Sequence, residues 1–186
     1  MNFKIKIGLF TGIMIMIACS NGQNNNVKSD KVISQIIPDY NIDFPKTDYK
    51  VEKTENFDNS LGVKITNWIL QGADQNGPYM FFVAHNVVPE KLKSTIEKEP
   101  KSLEVAFQAM LTSSATKLGG TDFTFNNIKY ENYEGLESLC KVFDGDGIIK
   151  SRVYKIEDNI FMISAGGQKI NIDTVDKFLN SFGLKE

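Results

Sequence analysis

The side chains best suited to covalent or acid–base chemistry are few: two thiols, Cys19 and Cys140, and one imidazole, His85. A hydroxyl or thiol nucleophile needs an adjacent base, so any histidine-based triad in this chain must use His85. No nucleophile-elbow pattern G-x-S-x-G accompanies it. His85 follows the apolar run Phe81-Phe82-Val83-Ala84 and reads as a structural or interfacial residue. A lone imidazole without clustered cysteines falls short of the ligand sets that zinc takes. Cys140 alternates with Leu136, Ser138 and Val142. That spacing makes it an inward-facing small residue of a strand; a nucleophilic or intermolecular thiol is the competing role.

Carboxylates and glycines form two further patterns. Asp144-Gly145-Asp146-Gly147 resembles the start of a calcium loop, which needs an oxygen ligand at position five, glycine at six and glutamate at twelve. Those positions hold Ile148, Ile149 and Lys155. Aspartate and glycine are also what a tight hairpin turn requires, and a turn is the expectation. Gly166-Gly167-Gln168 lacks both G-x-G-x-x-G and a following Walker-type lysine. It reads as a loop that holds no nucleotide. Other carboxylates are scattered among turns, without the spacing of a glycosidase pair.

Composition narrows the function classes. The chain has 186 residues, 21 basic and 23 acidic, with ordinary hydrophobic and charged fractions. One folded domain is the natural expectation. There is no basic excess of the kind that nucleic-acid binders show. The lysines from Lys91 to Lys101 are interleaved with Glu90, Glu97 and Glu99 and read as a solvated surface. With Cys19 in the leader region, Cys140 has no partner for a disulfide framework.

At the N-terminus, Lys4 and Lys6 precede an apolar stretch, Ile7 to Ile17, interrupted only by Gly8, Thr11 and Gly12. It is too short to cross a hydrocarbon core as a helix, which takes about 20 residues. A charged start, a short apolar run and a small residue at the end mark a secretory signal. Cys19 directly follows that small residue, and Met16-Ile17-Ala18-Cys19 resembles the lipobox of bacterial lipoproteins. Ala18 and Ile17 fit the family pattern, whereas Met16 replaces the usual leucine. The resemblance implies cleavage before Cys19, lipidation of Cys19 and residence on a membrane. The palmitate-type acyl chains of that family would anchor the chain at about 0.8 kcal/mol per buried CH2. An ordinary signal peptide, or an uncleaved anchor, is the competing reading. Removal of Lys4 and Lys6 would leave 19 basic against 23 acidic residues, a formal charge near −4. Ser20 stands where some bacteria use an aspartate to retain lipoproteins at the inner membrane, so the resemblance favours the outer membrane of the cell envelope. The following Asn-rich stretch, Ser20 to Asn26, suits a flexible tether.

The expected organisation is therefore a signal peptide over 1–18, a lipidated cysteine and tether over 19–46, and an α+β domain over 47–186. Asp30 to Ile37 is expected to form one or two helical turns ended by Pro38. Strands are expected at Tyr49–Phe57, Gly62–Leu70 and Tyr79–Val88, with a turn over Gln71 to Gly77. The third is apolar on both sides, Phe81, Val83 and Val87 against Phe82, Ala84 and Val88, which calls for a sheet covered on both faces. A helix from Pro100 to Leu118 has its stripe at Leu103, Phe107, Met110, Leu111, Ser114 and Leu118, and Gly119-Gly120 would stop it. Short turns then connect strands at Asp122–Tyr130, Leu136–Phe143, Ile148–Ile156 and Ile160–Ala165. A last helix, Ile172 to Phe182, ends at Gly183.

That order, with the Arg152-Val153-Tyr154 and Ile160-Phe161 strands and the closing Phe178-Leu179-Asn180-Ser181-Phe182 helix, resembles the Mog1/PsbP-type sandwich seen in DcrB-type bacterial lipoproteins. The resemblance implies an antiparallel sheet of about six strands covered by helices on both faces, and a noncatalytic accessory domain without cofactor or metal. The leading functional expectation is a lipid-anchored envelope protein that binds or supports a protein partner. A small-ligand carrier with a pocket lined by Trp68, Phe82 and Phe107 is the alternative, and an enzyme of unrecognised type the third.

Overall fold

A computed structural model describes residues 33–37, 40–58, 63–88, 93–95, 98–99 and 101–184. The expected signal peptide, Cys19, the Asn-rich tether and Pro100 lie outside the described residues. Ten strands are described: β1 (Ile33–Ile37), β2 (Tyr40–Phe44), β3 (Glu52–Asp58), β4 (Val63–Asp74), β5 (Gly77–Val87), β6 (Thr121–Tyr130), β7 (Tyr133–Val142), β8 (Gly147–Ile156), β9 (Asn159–Gln168) and β10 (Gly183–Leu184). Two α-helices with defined ends accompany them, α1 (Lys101–Thr116) and α2 (Ile172–Asn180), and Lys93–Thr95 and Lys98 are also helical.

The fold is α+β and is built on a seven-stranded antiparallel sheet in the order β3-β4-β5-β9-β8-β7-β6. Two meanders, β3-β4-β5 and β6-β7-β8-β9, meet where β5 pairs with β9 from Tyr79↔Gly167 to Val87↔Asn159. Every residue from Ile160 to Gly167 is buried, as a strand in the middle of a covered sheet requires.

Side-chain parity sorts the core into two layers. Trp68, Leu70, Phe81, Val83, Phe161 and Ile163 pack with Ile42 and Phe44 of β2 and with Val175, Phe178 and Leu179 of α2. The alternate residues Phe82, Ala84, Val153, Ile160 and Met162 pack with Phe107, Met110 and Leu111 of α1. Val87, expected to continue the Phe81–Val83 face, is half exposed at the strand's end.

Helix α1 follows its apolar pattern, burying Ala106, Phe107, Met110, Leu111 and Ala115. Its end matches the expected glycine stop: Gly119 has φ +81°, and the Gly120 N–H donates to the Ala115 carbonyl at 2.9 Å. Helix α2 starts at Asn171, whose Oδ1 accepts from the Asp173 N–H at 2.8 Å. It does not stop at Gly183, which belongs to β10 and pairs with Asn41 of β2. The Asp43 N–H also donates to Ser181 Oγ at 3.0 Å, so the two ends of the described chain are joined.

Three further expectations are corrected. Ile33–Ile37 is a strand paired with β2, Ile37 opposite Tyr40, where helical turns were expected. Isoleucine-rich pentapeptides favour the pleated form, and so short a helix is marginal in water. The packed body therefore starts well before Thr47, since Ile42 and Phe44 are fully buried. The broad turn over Gln71 to Gly77 narrows to Gln75-Asn76, because β4 and β5 stay paired to Asp74↔Gly77. Gly166 and Gly167 lie inside β9, opposite Ile149 and Ile148. A Cβ on Gly167 would stand 2.6 Å from the Pro78 carbonyl oxygen, so close strand approach explains the glycine where a loop was expected.

Leu111 is fully buried under α1, whereas Val105 on the same helix is exposed. Leu111→Ala should destabilise the domain by about 2–5 kcal/mol, and Val105→Ala should stay within about 0.5 kcal/mol. Urea unfolding followed by circular dichroism checks both.

Candidate functional site

The seven-stranded sheet separates the groups with chemical potential. His85 lies on the α2 face, where its ring stacks on Phe161 at 4.9 Å between centroids. Its Nε2 is 2.8 Å from Asn159 Oδ1. Cys140 is buried on the α1 face with Ala115, Val142 and Ile149. Ser138, Ser151 and Ser164, all buried, line up across β7, β8 and β9 on that same face. The Ser151 and Ser164 hydroxyls hydrogen-bond to each other. The imidazole is thus on the opposite side of the sheet from the thiol and from this hydroxyl row. A nucleophile–base pair among them cannot form without unpairing strands.

Burial pushes the Cys140 thiol above its ordinary pKa, with a backbone hydrogen bond from Ile149 acting in the other direction. A thiol held protonated is a poor nucleophile. Asp144 and its neighbours form a single 3-10 turn over Phe143–Gly145, closed by the Asp146 N–H donating to the Phe143 carbonyl at 3.0 Å. Among the described residues no group of three His, Cys, Asp or Glu side chains could hold a metal ion.

The carrier pocket expected from Trp68, Phe82 and Phe107 does not assemble. Phe82 and Phe107 share the α1 face, but Trp68 points to the α2 face. β-strand parity is the reason: Trp68 lies opposite Val83, not Phe82, in the β4–β5 register.

A different concavity does form. A groove of about 350 Å³ lies between the first turns of α1 and the β6–β7 hairpin. Leu103, Phe107 and Leu136 supply its apolar lining, and Lys101, Glu104, Asn127, Lys129 and Glu134 its polar one. The cross-strand pairs Asn127↔Leu136 and Lys129↔Glu134 place these side chains on the helix face. All five polar residues are exposed, so the groove is open and its rim carries two charges of each sign. Phe107 is the only residue that both the expected pocket and this groove contain. The opposed Lys129 and Glu134 flanking the Tyr130–Tyr133 turn were the available sequence signal for the rest.

On the α2 face a partly buried ion network ties helix to sheet. Glu137 accepts from Arg152 Nε at 2.7 Å and stands 3.4 Å from Lys150 Nζ. Lys150 also reaches Asp176 of α2 at 2.7 Å, and Arg152 Nη1 donates to Asn180 Oδ1 at 2.8 Å. Below it, Tyr40 and Tyr154 stack on Phe182 at 5.1 and 6.1 Å between centroids. Burial, followed by the nearby Tyr130 and Tyr133 phenols and the Glu157 and Glu131 carboxylates, pushes Tyr40 up to about 12.

No protein-family model matches the chain, and no curated protein matches it significantly. The functional reading therefore rests on the site itself.

Two outcomes follow. The native domain should resist a thiol reagent at Cys140 until urea unfolds it, as absorbance at the released thiolate would show. A raised phenol pKa adds stability below the unfolded value near 10, and that stability is lost as pH climbs toward about 12. Tyr40→Phe should make the alkaline decline between those values shallower in pH-dependent urea unfolding; an unchanged slope would assign the decline to other tyrosines.

Proposed function

We propose that the chain is a lipid-anchored envelope protein, held by Cys19, whose domain is a noncatalytic accessory or protein-binding module. The noncatalytic part is supported by the separation of His85 from Cys140 and the serine row by the sheet. The binding part is carried by the open groove, whose apolar lining and balanced charged rim suit a protein segment. In fold terms we read the two helices on opposite faces as the PsbP-type sandwich that the element order resembles.

A small-ligand role is the second reading, and the groove's volume favours it, since small-molecule sites begin at about 300 Å³. The exposed rim weighs toward a protein, because ligand sites enclose most of their occupant. The outer membrane remains the favoured location, through the residue after Cys19.

Cys19→Ala should abolish acylation and leave an uncleaved precursor, read by mass spectrometry of the membrane fraction. Wild-type processing and membrane retention in that variant would remove the lipid anchor. Purification of the native protein from membranes should recover a stoichiometric protein partner that Phe107→Ala or Lys129→Glu weakens. Recovery of a bound small molecule and no protein would favour the carrier.

A further inference from the structure

The two edges of the large sheet are built differently. Edge strand β3 carries Glu52, Lys53 and Glu55, and Glu55 pairs with Lys53 at 3.1 Å and with Lys64 of β4 at 2.6 Å. Charge of that density protects an edge against further pairing. Among the described residues, edge strand β6 pairs only with β7. Its regular part runs from Thr124 to Tyr130 and has one charge, Lys129. A register shift between Thr121 and Thr124 bounds it at one end, and the turn at Glu131, φ 52°, bounds it at the other. Along such an edge, alternate residues direct both N–H and C=O outward, a template that only another extended strand satisfies in full.

We propose that this edge is a self-association surface on which a second copy of the chain pairs β6 to β6, antiparallel, about a two-fold axis at Asn127. A two-fold axis perpendicular to a sheet requires opposed residues to share a face, so each residue must meet one of equal parity. Centring on Asn127 uses the whole regular stretch: Thr124 meets Tyr130, Phe125 meets Lys129, Asn126 meets Ile128, and Asn127 meets itself. On the helix face this sets each Phe125 ring beside the other copy's Lys129, a cation–aromatic match made twice. Lys129 borders the groove, so the partner's Phe125 closes its open side and supplies the apolar group that Leu103 and Phe107 can cover. The two sheets become continuous, and both β6 edges are paired.

The proposal takes the groove as a protein-binding surface, as above, and names its occupant. Residues 19–186 retain the whole packed core, and Cys19→Ala in that chain removes lipid and stray thiol chemistry. Sedimentation over the micromolar to millimolar range should show a doubling of mass, and Asn127→Lys, which sets like charges across the axis, should return the monomer. Circular dichroism with urea unfolding should show that variant to be folded. Independently, Asn127→Cys should form an intermolecular disulfide on mild oxidation, because opposed cross-strand Cα atoms fall within disulfide reach. Thr54→Cys on the guarded edge should not. A monomer at every concentration, or a dimer indifferent to Asn127→Lys and unlinked through residue 127, overturns the proposal. The membrane purification would still decide whether another protein occupies the groove.

Discussion

Everything in this fold depends on the junction of β5 and β9. Each strand is the last of a meander, and their pairing turns two small hairpin systems into one seven-stranded sheet. Strands in that position have both faces in need of cover. Phe82 and Met162 demand an apolar partner on one side, Phe81 and Phe161 on the other. Burying a large apolar side chain contributes about 1.5–3 kcal/mol, so neither layer can be left to solvent. Helix α1 serves one face, while α2 and β2 together serve the other.

The second face is closed by a device that crosses the whole chain. β2 comes before the large sheet in sequence and β10 after it, yet they pair, and the Asp43 N–H finds Ser181 Oγ. Phe182 lies between the rings of Tyr40 and Tyr154, so an aromatic stack joins an early strand, a middle strand and the terminal segment. The Glu137–Lys150–Asp176 and Glu137–Arg152–Asn180 contacts add direction to this layer. Apolar packing alone would allow α2 to slide along the sheet. Charged partners at fixed points on β7 and β8 set its place, and their partial burial makes any mismatch costly.

How much was legible in the sequence depends on which force decided each segment. The four strands between Thr121 and Ala165 and helix α1 were legible in outline because hydrophobic period and nearby turn residues agree there. Ile33–Ile37 was misread because a short isoleucine run has no period of its own, and its form is set by pairing with β2, a nonlocal contact. Gly166-Gly167 looked like a loop because glycine usually punctuates. Here it admits the backbones of β5 and β8. Trp68 does not join Phe82 and Phe107 in one pocket because register, which no single strand displays, decides which β5 residues share its face. The groove was invisible for the same reason: α1 meets the β6–β7 hairpin only after the sheet has closed.

The corrected start of the domain also changes what an anchor at Cys19 would do. Between Cys19 and Thr47 the chain could extend some 95 Å, at about 3.4 Å per residue. With strand pairing beginning at Ile33, the same arithmetic would cap the leash at about 50 Å. A domain on the longer leash samples a wide shell and meets partners almost as a free protein does. On the shorter one it would stay within about 50 Å of the membrane, and its copies would share a thin layer. Confinement of that kind raises the effective concentration of anchored neighbours for one another. Weak edge-to-edge contacts gain most from it, because an open strand edge that is dilute in solution becomes crowded at a surface. If the proposed lipid anchor at Cys19 and the proposed β6 pairing both hold, they would reinforce each other, since a surface layer raises the concentration at which edges meet.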